Sequence, residues 1–245
     1  MPVVAIGGGE MKLGETLPID KYIVERTGAQ WPIALFIPTA SSDSEDYAQI
    51  VSDVYGGQLG CTVNVLRLIA NPPPYEQIAE LIRSSDLIYV GGGNTLKMMR
   101  LWRRLGVDKL LLEAHANGKV LCGLSAGALC WFHYGHSDSM SFYSPDNWDY
   151  IRVKCLGILP FTGCPHYDGE GRDNNFQTMI ARDGGIGIAI DDSAAFEADG
   201  DQYRILTARD GARAYRVERI RGQIVQTPIP VTSEFQPLAA LRPPK

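Results

Sequence analysis

The sequence predicts an α/β fold built on a largely parallel sheet. Short apolar segments rich in Val, Ile and Leu recur through the first two thirds of the chain, each followed by a segment with helical spacing. These apolar segments show no polar face, as strands covered by helices on both sides require. Glycine clusters at 7–9 and 91–93, and the small-residue stretch 123–127, fall where three of the segments end. That is the sheet edge at which α/β folds bind their ligands.

Taken in order, VVAIGGG (3–9) reads as a strand running into glycines, and PIALFIPTA (32–40) as a second. SEDYAQIVSDVYGGQLG (44–60) has helical spacing, with Ser44 as N-cap and Gly60 as stop. TVNVLRLI (62–69) is a third strand, YEQIAELIRSS (75–85) a helix after a proline-rich turn, and LIYVGGG (87–93) a fourth strand. TLKMMRLWRRLG and VDKLLLEAHANG are helical, Gly118 ending the second, and KVLCGLS is the fifth strand. AGALCWF is expected to open a helix that runs on through His133 and His136. In the last third, GIGIAIDDSAAFEADGDQYRILTA and ARAYRVERIRGQIVQTPIPV read as strands joined by DGDQ and RGQ turns. They are expected to lie antiparallel at one side of the same domain, with RPPK as a tail, so that residues 1–245 form one domain.

Composition narrows the function classes. Hydrophobic residues make up 45% and charged ones 21% of the 245 residues, an ordinary balance for a water-soluble globular chain. A net charge of -5 argues against nucleic acid or an anionic membrane as a main partner. No apolar run approaches the roughly 20 residues of a membrane span, and the N-terminus MPVVAIGGGEMK lacks the basic start and long apolar run of a signal peptide. Five cysteines without a C-x-x-C pair read as reduced, buried thiols of a cytoplasmic protein, and no zinc spacing occurs.

The joint between KVLCGL and AGALCWF carries Gly123-Leu124-Ser125-Ala126-Gly127. This is G-x-S-x-G, a strand-to-helix turn that pushes a serine out of the chain and needs small neighbours. A buried serine capping a helix would give the same letters. A nucleophilic serine needs a base, and each of the four histidines can be judged. His115 lies near a helix C-terminus, on the wrong side of the sheet. His133 and His136, on the expected elbow helix, would stand roughly 12–16 Å from Ser125. His166, in GILPFTGCPHYDGEGR, follows an apolar run and enters a polar, glycine-bearing loop, which leaves it as the candidate base. Asp191 and Asp192 follow the apolar GIGIAI; alternation lets only one of them face the site, and spacing does not choose. The N–H of Ala126 is suited to an oxyanion hole, and VGGGNT can supply a second donor. A phosphate-cradling loop is the rival reading of the glycines, a weak one because neither G-x-x-x-x-G-K-[ST] nor G-x-G-x-x-G is present.

IYVGGGNTLKMM, CGLSAGALC and CPHY, in this order and with FIPTAS before them, resemble peptidase E, the aspartyl dipeptidase family of serine peptidases related to cyanophycinases. The resemblance covers residues 32 to 195 or so. It implies a class I glutamine-amidotransferase-like three-layer sandwich with a mainly parallel central sheet, here with extra C-terminal strands. It implies Ser125 as nucleophile, His166 as base, and Gly93 and Ala126 as oxyanion donors. The family's acid is a glutamate after the strand that follows the histidine; Asp192 takes its place here, a departure from the pattern. Arg172 and Asn94 are carried over as substrate-binding residues, Arg172 to hold the carboxylate of an N-terminal aspartate. The loop from His166 to Arg172 looks shorter than the family's, which bears on that specificity. The expected activity is hydrolysis of small peptides, dipeptides with an N-terminal aspartate, by a cytoplasmic enzyme with no metal or organic cofactor, a homodimer being the assembly considered. The alternatives are a cyanophycinase-like or other amide hydrolase on the same scaffold, or a non-catalytic ligand-binding relative.

Overall fold

A computed structural model of the chain describes residues 1–242; the tail read at RPPK lies outside them from position 243 onward. The first stretch runs β1 (Pro2–Ile6), α1 (Leu17–Glu25), β2 (Ile33–Ile37), α2 (Glu45–Val51), β3 (Thr62–Val65), α3 (Tyr75–Ser84), β4 (Leu87–Val90), α4 (Thr95–Leu105), α5 (Val107–Ala116) and β5 (Val120–Leu124). There follow α6 (Ala126–Leu129), β6 (Phe132–Ser137), β7 (Ile151–Lys154), β8 (Leu159–Cys164), α7 (Arg172–Asp183) and β9 (Ile186–Ile190). The described chain closes with β10 (Ala194–Asp199), β11 (Gln202–Thr207), β12 (Ala214–Ile220), β13 (Gln223–Ile229) and β14 (Gln236–Pro237).

Side-chain alternation along the strands builds the layers. Val3 and Ala5 of β1 join Leu35 and Ile37 of β2 and Ile88 and Val90 of β4 in one apolar core, against α3, α4 and α5. Val4 and Ile6 join Ala34, Phe36, Leu87 and Tyr89 in another, against α1 and α2. Both faces are thus apolar, and both are covered. Ser44 caps α2 as expected, accepting the Tyr47 N–H at 3.3 Å, and the helix widens into a π-helical stretch, Ser52–Gln58, before Gly60 turns the chain.

The strands divide into two sheets, which the sequence did not anticipate. The first has the order β14-β11-β10-β1-β5-β4-β2-β3, the second β13-β12-β9-β8-β6-β7. In the first, β1, β5, β4, β2 and β3 run parallel, while β10 and β11 join antiparallel beside β1. The C-terminal strands therefore do not gather at one side: β10, β11 and β14 extend the first sheet, and β12 and β13 extend the second through β9. The switch between sheets occurs at Asp191–Ser193, where Ser193 takes φ 60 and the Gly7 N–H bonds the Ala194 carbonyl at 2.9 Å.

The expected elbow helix is also corrected. It stops after four residues, and His133 and His136 lie on β6, not on a helix. The aromatic and β-prone run Phe132–Ser137 finds strand partners on both sides, β7 and β8, which outweigh the weak helical continuation of so short a turn.

Candidate active site

Ser125 sits between β5 and α6 with φ 56 and ψ -114, a conformation that non-glycine residues rarely adopt. The turn is held because the Ser125 carbonyl accepts from Ala128 and Leu129 at 3.0 and 2.9 Å. Its flanking glycines are there for room. A Cβ on Gly127 would stand 1.9 Å from the Val90 carbonyl oxygen, and one on Gly123 would stand 2.5 Å from the Gly127 carbonyl. The elbow thus folds flat onto the end of β4, and the serine is the side chain left facing out.

His166 leaves β8 with φ 55, so the second candidate residue is also set in a strained turn. Its Nδ1 lies 2.6 Å from Asp192 Oδ1. That hydrogen bond holds the Asp192 carboxyl below the ordinary carboxylate range against the upward push of burial, with Arg209 and Arg172 adding in the same direction. Asp191 faces elsewhere. Its carboxylate accepts the Arg213 N–H at 3.0 Å, and burial followed by the nearby Asp168 raises it to about 6.

The two sheets meet here. Gly8 forms an isolated bridge with Asp192, and the Ser193 N–H bonds the Gly8 carbonyl at 2.9 Å, so the end of β1 lies directly against the chain after β9. A cavity of about 310 Å³ opens over this junction, lined by Ser125, His166, Gly92, Tyr47, Met11 and Lys12 among others. That volume suits a ligand of a few residues.

The remaining sequence-derived candidates fall as follows. Ala126 is buried directly behind Ser125, and Gly93, at φ 132, packs on the Ala40 carbonyl. Neither backbone N–H meets an acceptor among the described residues. Asn94 caps α4: its Oδ1 accepts the Lys97 N–H at 2.9 Å and its amide donates to the Ser139 carbonyl at 3.3 Å. With 3% exposure and both ends occupied, its side chain does not reach the cavity wall. Arg172, 6% exposed, stands behind the wall; it faces Asp138 at 3.6 Å and lies over the Tyr150 ring, and its Nε has no partner among the described residues. His136 is buried, bonded to Asn175 at 2.9 Å, and pushed down to about 4 by burial; Cys164 beside it is raised to about 12 by the same cause.

A model of peptidase family S51 matches residues 3–206. The chain belongs to that family. Proteins similar to it include a Bacillus subtilis protein named "Uncharacterized peptidase YgaJ", 37% identical over 94% of this chain and 97% of that one. A Shewanella denitrificans protein named "Peptidase E" is 27% identical over 72% and 75%. Two crystal structures share the fold. One is a peptidase from an acI-B1 Actinobacterium (TM-score 0.71, 19% identity, 96% of each chain). The other is a putative peptidase E from Listeria monocytogenes EGD-e (TM-score 0.63, 22% identity, 84% of this chain and 98% of that one). The S51 chain is thus a serine-type peptidase on a mixed α/β fold.

Several residues at this S51 site carry no local signal in the sequence. Gly8 is one of a glycine cluster whose members look alike, and nothing near Lys12 or Tyr47 marks a cavity wall. Asp168 stands two residues after His166 in a polar loop that carries no separate signal, and Arg209 lies in a connection with no pattern of its own.

Proposed function

We propose that the chain hydrolyses small peptides through a Ser125–His166–Asp192 triad. The observation that carries this is the His166 Nδ1–Asp192 hydrogen bond of 2.6 Å on a cavity whose wall also holds Ser125 at its strained elbow. Asp192 fixes the tautomer in which Nδ1 carries a proton, leaving Nε2 to act as base. Ser125 Oγ attacks the scissile carbonyl carbon while Nε2 takes its proton. The oxyanion is met by the N–H groups of Gly93 and Ala126, which have no other acceptor among the described residues. The imidazolium then returns the proton to the leaving amine, the C–N bond breaks, and water, deprotonated by the same Nε2, releases the acyl group.

The finer substrate reading is a dipeptide with an N-terminal aspartate. What supports it is the resemblance to peptidase E and the buried guanidinium of Arg172, whose Nε has no partner among the described residues while Nη1 faces Asp138 at 3.6 Å and Nη2 donates to the His136 carbonyl at 3.5 Å. For Arg172 to hold a substrate carboxylate, Asp138 must give way. Asn94 serves in this reading by fixing the start of α4 behind Gly93, not by touching substrate. We further read the chain as one cytoplasmic domain of the glutamine-amidotransferase-like three-layer kind, acting without a cofactor, with a homodimer as its assembly. Among the described residues no helix is long and apolar enough to cross a membrane.

The test is a panel of dipeptides varied at the N-terminal residue, run with the native protein and with Ser125→Ala, beside labelling by a fluorophosphonate. Hydrolysis and labelling that both vanish in the variant are expected. Hydrolysis that survives at a tenth of the native rate removes the serine mechanism.

A further inference from the structure

The runs His166-Tyr167-Asp168 and Ile190-Asp191-Asp192 lie side by side and exchange three hydrogen bonds. The Tyr167 N–H bonds the Ile190 carbonyl at 3.1 Å. His166 Nδ1 meets the Asp192 carboxylate at 2.6 Å, and the Asp192 N–H returns to Asp168 Oδ1 at 2.9 Å. The first run thus reaches the second through two side chains, His166 and Asp168, and the second answers with one, Asp192. Among the described residues, the strand-like partner of Asp192 is the bridge to Gly8, and no ladder pairs it on this flank. The carboxylate of Asp168 is therefore the side-chain hold, on the His166 flank, on the backbone from which Asp192 reaches His166, while the Gly8 bridge holds the opposite flank.

Packing Asp168, Asp191 and Asp192 together brings three carboxylates into one junction, and like charges at this range oppose one another. Arg209 answers this. Its guanidinium lies 3.3 Å from Asp168 Oδ2, on the side away from the bond to Asp192. It comes from the connection between β11 and β12, past residue 206, where the family match ends. With its side chain 59% exposed, this ion pair adds little to folding stability. Its place beside the acid points instead to the chemistry.

We propose that Asp168 and Arg209 are positioning residues for the His166–Asp192 pair: Asp168 holds the Asp192 backbone, and Arg209 neutralises Asp168. The C-terminal hairpins thereby complete the site built by the family core. This rests on the triad reading above. The charged groups around Asp192 are His166 and Asp168 from the loop after β8, Asp191 on its own strand end, Arg209 from the β11–β12 connection, and Arg172 from the start of α7, while Arg213 of the same connection gives its backbone N–H to Asp191. Glu10 and Lys12 share the cavity wall with His166.

The experiment measures the rate of fluorophosphonate labelling of Ser125, which needs no known substrate, against pH and salt in the full chain. Asp168→Ala removes the acceptor and should slow labelling roughly 10–100-fold, as a misplaced catalytic group does. Asp168→Asn keeps an acceptor oxygen and should recover most of the rate, with its acidic limb moved to lower pH because Arg209 is left unanswered. Arg209→Ala should slow labelling about two- to fivefold at low salt, move the acidic limb to higher pH, and converge on the native rate as salt screens the junction. Arg209→Lys should behave as native. Asp192→Asn, run alongside, separates the two readings. If it labels at the native rate, the triad reading fails. If it is crippled while Asp168→Ala stays within twofold of native and Arg209→Ala shifts neither limb nor salt dependence, only the positioning role is overturned. Should Asp168→Ala not fold, as circular dichroism would show, the opposite limb shifts of Asp168→Asn and Arg209→Ala carry the test, and their absence overturns the proposal.

Discussion

Gly8 stands so close to Asp192 that any side chain on it would occupy the hydrogen bond between Asp192 and His166. A Cβ there would lie 1.9 Å from Asp192 Oδ1 and 2.2 Å from His166 Nδ1. The glycine cluster that closes β1 is thus explained at this position by the residues opposite, not by its own backbone angle. The parallel bridge between Gly8 and Asp192 fixes how near the two chains run, and only a hydrogen atom fits between them.

Gly8→Ala should therefore leave the chain folded and the pair broken. The β1 core residues on either side of the sheet are untouched by the change, so the far-ultraviolet circular dichroism should match native. Peptide hydrolysis and Ser125 labelling should fall by roughly 10² or more, the loss expected when a catalytic base is displaced by about an ångström. A Gly8→Ala protein with native labelling would mean that His166 and Asp192 do not act together.

The elbow stores strain, and substitution at Ser125 should release it. At φ 56 and ψ -114 a residue with a Cβ is disfavoured, while glycine is not. Ser125→Gly should raise the unfolding free energy by about 1 kcal/mol, and Ser125→Ala should not. Both should abolish hydrolysis. Urea titrations of the three proteins check this, and equal midpoints for the glycine and alanine variants would remove the strain argument.

Asp192 and Asp191 should part company on mutation. Asp192→Asn cannot hold the imidazole in the same tautomer and should lower kcat by roughly 10²–10⁴ with little change in KM. Asp191, raised to about 6, accepts a single backbone N–H among the described residues, and an amide oxygen does the same work. Asp191→Asn should stay within a few-fold of native on the same dipeptide. The reverse order of damage would exchange their roles.

A pH dependence of stability should trace to Asp20. This buried carboxyl accepts from Thr16 at 2.7 Å and Tyr55 at 2.8 Å, yet burial outweighs both bonds and raises it from 3.8 to about 6. Folding favours its protonated form, so its contribution is fully present below about pH 3.8 and is lost as pH rises through about 6. Asp20→Asn should be more stable than native by about 1–3 kcal/mol at neutral pH, the two converging on acidification toward the lower value. Urea midpoints of both proteins across that range decide it; parallel curves would show that Asp20 ionises as freely in the folded chain as in the unfolded one.

The sequence by itself determined the elements whose evidence is local. Val3 to Ile6, Leu87 to Val90 and Val120 to Leu124 announce strands apolar on both faces, and G-x-S-x-G announces the turn at Ser125, because period and turn chemistry are read within a few residues. His166 was reached by elimination, which works only because the chain has four histidines. Even there one premise was wrong: His133 and His136 lie on β6, whose pairing with β7 and β8 no local window contains. Tertiary structure decided the rest. It divided the strands between two sheets and put the change of sheet at Asp191–Ser193. Alternation could say that one of Asp191 and Asp192 faces His166 but not which, since that depends on the register of β9 against β8. It also brought Gly8, Asp168 and Arg209, 201 positions apart from first to last, to one junction around Asp192. Such neighbours are set by the long-range packing of two sheets, and short stretches of sequence hold no record of it.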